Sequence, residues 1–65
     1  MYKAPYSRGE IGFISSYILM NGHITYIIAE RIHSDYVKAT GTWRASGAIY
    51  QAARRYELGK YNHLL

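Results

Sequence analysis

Cysteine is absent from this chain, proline occurs once, at Pro5, and acidic residues number only four. Without thiols there is no disulfide staple, no thiolate nucleophile and no Cys-based zinc site, a pattern that suits a reducing compartment. There is also no unbroken apolar run of the roughly 20 residues that a membrane span needs. The uncharged stretch from Ile11 to Ala29 is interrupted by Gly12, Ser15, Ser16, Asn21, Gly22, His23 and Thr25. A secretory signal is not expected either, because Glu10 abuts the apolar run and no small-x-small cleavage site follows Met20. A cytoplasmic protein with no membrane partner is the expectation. Repeats, charge blocks and low-complexity linkers are lacking as well, which leaves a single domain of 65 residues. Such a chain buries only about 60% of the surface its unfolded form exposes, so it needs a dense core or a partner.

What the sequence has is Tyr and positive charge: eight Tyr among its aromatics, and eight Lys plus Arg for a net charge of +4. Residues 1–9 read as a flexible arm. Beyond them, Asn21-Gly22 between two β-rich runs is a strong short-range hairpin signal, a type I′ turn. If those two residues form the turn, positions that sum to 43 face one another, so Leu19 meets Ile24, Tyr17 meets Tyr26, and Phe13 meets Glu30. A second turn at Ser34-Asp35 starts a third strand over about 36–42. Cross-strand partners share a face, which puts Val37, Ala39 and Trp43 on the core side. Ile14, Ile18, Ile27, Arg31, Tyr36, Lys38 and Thr40 fall on the open side. After Trp43 the period changes: Ala45, Ala48, Ile49, Ala52, Ala53 and Tyr56 recur at spacings of three and four, the stripe of an amphipathic helix over about 44–58. Ser46 or Thr42 is a candidate cap for its start and Gly59 for its end. Its outward side presents Tyr50, Gln51, Arg54, Arg55 and Glu57. The fold class expected is α+β, a three-stranded antiparallel sheet on one C-terminal helix.

The charge is unevenly placed. In the first 35 residues Lys3, Arg8 and Arg31 are balanced by Glu10, Glu30 and Asp35, whereas Lys38, Arg44, Arg54, Arg55 and Lys60 against Glu57 leave +4 in the remainder. Cations beside Tyr rings suit a polyanion, because phosphates attract Arg and Lys and bases stack on aromatic faces. Arg31, Lys38, Arg44, Arg54, Arg55 and Lys60 are the candidate nucleic-acid contacts. The inferred topology resembles that of AP2-type and integrase arm-binding domains, which implies DNA binding by strands in the major groove, although no motif residue matches. The competing feature is apolar. Ile14, Ile18, Ile27 and Tyr36 share the open face, and a contiguous apolar patch marks a protein contact, here a homodimer or a larger complex.

Catalysis finds little footing. His23, His33 and His63 lie far apart with no HxH or HExxH spacing, so no metal site is expected. No two of the four acids are spaced for acid–base work, and Glu30, on the core face, lacks a base partner. The reading is a small non-enzymatic binding module without cofactors, whose basic face engages nucleic acid in a DNA-binding or regulatory role. The alternative is an interaction protein of the phage or mobile-element type that docks its open sheet face on a host protein and inhibits it.

Overall fold

The computed structural model describes residues 5–64, and among them there is no strand. The chain forms a three-helix bundle: α1 spans Arg8–Asn21, α2 Tyr26–Thr40 and α3 Ser46–Glu57, followed by a single 3₁₀ turn at Asn62–Leu64. The expected three-stranded sheet is therefore replaced by two helices, while the C-terminal helix starts two residues later and ends one residue earlier than expected.

The boundaries follow from local chemistry. Ser7 Oγ accepts the Glu10 backbone N–H at 3.2 Å, and Glu10 Oε1 accepts the Ser7 N–H at 3.0 Å. This reciprocal capping box satisfies two donors that a helix start otherwise leaves open. Residues 5–9 are thus no loose arm: Tyr6 is half-buried, Ser7 caps α1, and Arg8 and Gly9 belong to its first turn. The part of the expected arm over residues 1–4 lies outside the described residues. At the other end, Asn21-Gly22 stops a helix instead of turning a hairpin. Gly22 takes φ of +91° and donates its N–H to the Ile18 carbonyl, a backbone conformation that costs glycine nothing for want of a Cβ. Thr25 Oγ1 accepts the Ile28 N–H to open α2, and Gly41, left-handed at φ +71°, closes it through a bond to the Val37 carbonyl. The supposed turn at Ser34-Asp35 lies inside α2. Neither Thr42 nor Ser46 caps α3, which starts from extended Ala45 without a side-chain cap.

Helical spacing then decides what is inside. Glu10, Ile11 and Ile14 of α1, Ala29, Ile32 and Tyr36 of α2, and Ile49, Ala52 and Ala53 of α3 are buried, with Ile24 closing the core from the first connection. Alanines at two adjacent α3 positions let that helix approach the others closely, and the bulk comes from isoleucines and Tyr36. The open-face patch expected from a sheet is dispersed. Ile14 and Tyr36 are fully buried, Ile18 packs half-buried against the core, and only Ile27 stays exposed. The homodimer expected through that face loses the face, and the resemblance to sheet-based DNA-binding domains goes with the sheet. Glu30, expected inside, is exposed.

Trp43, expected on the core side, stands outside the core at 67% exposure, and Tyr26, expected to face Tyr17 across the hairpin, is 50% exposed. Trp43 sits in the connection between α2 and α3, where its only ring contact among the described residues is an edge-on approach to His33, 5.6 Å between centroids. Trp43→Ala should change stability by no more than about 0.5 to 1 kcal/mol, the range of surface substitutions that lose one aromatic contact. Thermal unfolding followed by circular dichroism checks this, and a loss of several kcal/mol would mean that the indole is buried.

Candidate nucleic-acid interface

The orientation of α3 is set by a buried polar clasp that draws one member from each part of the bundle. Glu10 at the start of α1 is 2% exposed. Its Oε2 accepts from the Tyr36 hydroxyl of α2 at 2.7 Å and from Arg44 Nε at 2.6 Å, and its Oε1 accepts from Arg44 Nη2 at 3.1 Å. A forked guanidinium on a carboxylate is among the strongest polar contacts a protein makes. Arg44 Nη2 also donates to the Pro5 carbonyl at 3.2 Å, and the guanidinium carbon lies 4.1 Å from the centre of the Tyr6 ring. Tyr6 in turn donates its hydroxyl to the Ala48 carbonyl in the first turn of α3 at 3.0 Å. Arg44, two residues before α3, is thereby tied to both other helices, and the helix behind it inherits that placement.

Electrostatics keep the clasp charged. Burial by itself raises a carboxyl, but the Arg44 hydrogen bonds, the Ser7 backbone N–H and the Tyr36 hydroxyl outweigh it and lower Glu10 to about 2. Burial and the bond to Glu10 push the Tyr36 hydroxyl well above the usual tyrosine range. A carboxylate held this way does not exchange protons near neutral pH. The clasp positions α3.

With its inward stripe fixed, α3 turns Gln51, Arg54 and Arg55 outward, Leu58 follows at 70% exposure, and Gly47 is half-buried beside the Tyr26 ring. Two hollows run along the flanks of this ridge. One, of about 420 Å³, lies towards the connection between α1 and α2 and is lined by His23, Thr25, Tyr26, Tyr50, Arg54 and Glu57 among others. The second, of about 800 Å³, lies towards the chain ends, with Trp43, Gly47, Gln51, Arg55, Tyr61 and His63 in its wall. Arg54 Nη1 donates to the Tyr50 hydroxyl at 3.2 Å. Across the first hollow, His23 Nδ1 lies 2.5 Å from Glu57 Oε2.

The six cations singled out in the sequence separate into three groups. Arg44 is spent inside the clasp. Arg31 and Lys38 are exposed on the outer face of α2, where Glu30 and Asp35 are exposed beside them and cancel their charge. Arg54 and Arg55 on α3 and Lys60 just beyond it are exposed with only Glu57 nearby in sequence, and that acid already faces His23. The unbalanced positive charge therefore collects along α3 and the residues that follow it. Among the described residues no group of three or more His, Asp or Glu could hold a metal ion, and no helix is long and apolar enough to cross a membrane. Gln51, which the helical spacing puts on the outward side of α3, is exposed there. Glu10 and Tyr6 were missed, though the Ser-x-x-Glu spacing before an apolar run marked Glu10 as a capping residue. The chain matches no known family, curated protein or solved structure.

Proposed function

We propose that this chain is a non-enzymatic nucleic-acid-binding module and that α3 is its contact helix. The observation that carries the reading is the sorting of charge: the cations of α2 are offset by acids on the same face, whereas Arg54, Arg55 and Lys60 lie on and just after an exposed ridge flanked by open hollows. Anionic phosphates are the partner such a ridge suits. Helix-turn-helix and homeodomain modules also use one helix of a small helical unit to enter a groove, an analogy of architecture that adds to the charge argument without replacing it. A cytoplasmic location follows from this reading and not from any feature of the fold.

The test is the salt dependence of binding to short nucleic acids. Arg54→Gln and Arg55→Gln should each reduce the slope of log affinity against log salt by about 0.7 to 0.9, because each removes one phosphate contact and its released counterion. Arg31→Gln and Lys38→Gln should leave the slope where it was. Absence of binding to duplex and single-stranded DNA or RNA at low salt would overturn the reading. It would leave a protein-docking inhibitor as the account, for which the exposed Leu19, Met20 and Ile27 on either side of the first connection offer the contact.

A further inference from the structure

We propose that the ligand is duplex DNA of B form and that Gln51 reads an adenine edge in its major groove, an inference that rests on α3 being the contact helix. The shape argument comes first. A helix with its side chains is about 10–12 Å across, and the major groove of B-DNA is about 12 Å wide, so one helix fills it. The major groove of A-form RNA is deep and too narrow for side chains to read, and a single strand has no groove for a helix to enter. The α3 ridge has the form this fit needs, a helix standing between hollows of about 420 and 800 Å³. Arg54 lines the first hollow and Arg55 the second. Two consecutive residues thus point cations to opposite flanks, where the two phosphate backbones bordering a groove would lie.

Between those cations the ridge carries a reading group. Gln51 is exposed, and no internal hydrogen bond engages its side chain among the described residues. Four residues earlier Gly47 is half-buried, with the Tyr26 ring 3.7 Å from where its Cβ would stand, so the part of α3 open to a groove runs from Gln51 towards the C-terminal end of the helix. An amide that both donates and accepts matches the N7 acceptor and N6 donor of adenine, the bidentate pairing Asn and Gln make in the major groove. Arg54 is tied back to Tyr50 and is better placed for a phosphate than for a base. Base selectivity on this helix therefore falls to Gln51.

The experiment is selection from a pool of randomised DNA duplexes with the full chain at fixed salt, repeated for Gln51→Ala and Gln51→Arg. The wild-type chain should enrich an A·T pair at one position, preferred by roughly 5- to 150-fold over the other pairs. Gln51→Ala should lose that preference while keeping its fold, its affinity for arbitrary duplex and its salt slope. Gln51→Arg should move the preference to G·C, since Arg pairs with guanine O6 and N7. Duplex binding with no base preference, or a preference that survives Gln51→Ala, would overturn the assignment to Gln51 while leaving α3 as the contact helix. Tighter binding to duplex RNA or to single strands than to duplex DNA would overturn the choice of ligand. No binding to any nucleic acid would remove both this inference and the function it rests on.

Discussion

Glu10→Ala should cost about 3 to 5 kcal/mol of folding stability, the usual penalty for removing one partner of a buried ion pair. The carboxylate is the common acceptor for Ser7 N–H, the Tyr36 hydroxyl and the Arg44 guanidinium, so its loss strands a buried hydroxyl and a largely buried cation. Small domains hold a net stability near the low end of about 5 to 15 kcal/mol, and the variant should be largely unfolded at 37 °C. The same group sets the acid limit of the fold. A carboxyl at about 2 in the folded protein against 4.5 unfolded contributes about 3 kcal/mol at neutral pH, at 1.36 kcal/mol per pH unit of difference. Its folded value is depressed, so the contribution is complete above about pH 5 and disappears as pH falls from there towards 2. Glu10→Gln should flatten stability across that window, and urea titrations at several pH values read it directly. A wild-type chain equally stable at pH 3 and pH 7 would mean that the clasp is not formed.

The second large effect is on binding. Each phosphate contact contributes a factor of about 5 to 8 in affinity at 0.10–0.15 M salt through counterion release. Arg54→Glu together with Arg55→Glu removes two such contacts and adds repulsion, which should weaken binding on the order of 100-fold. Both side chains are exposed and outside the core, so the double variant should unfold at nearly the wild-type temperature. The corresponding pair on α2, Arg31→Glu with Lys38→Glu, should lose far less, since Glu30 and Asp35 already offset those charges.

How much of this was legible in the sequence differs between the halves of the chain. The stripe of Ile49, Ala52, Ala53 and Tyr56 has no competing period, and it led to a helix over about 44–58 where α3 occupies Ser46–Glu57. The outward position of Gln51, Arg54 and Arg55 followed from the same wheel. The first half misled because β-branched residues suit strands and buried helices alike. Ile11, Ile14 and Ile18 are spaced for a helix, but Asn21-Gly22 reads most strongly as a hairpin turn, and that turn imposed a period of two on everything around it. The signals that favoured helices were local and polar: Ser7 with Glu10, Thr25 before α2, and a glycine after each of the first two helices. The clasp lay beyond sequence reasoning for another reason. Tyr36 and Arg44 are 26 and 34 residues from Glu10, and their meeting depends on how the three helices pack.

The most direct test of α3 as the contact helix is an amide chemical-shift titration of the isotope-labelled chain with a short DNA duplex. The largest perturbations should run from Gly47 to Arg55 and extend to Trp43 and Tyr61 beside the larger hollow, with α2 from Glu30 to Lys38 little changed. Perturbations centred on Arg31 and Lys38, or on Leu19, Met20 and Ile27, with α3 silent would contradict the account.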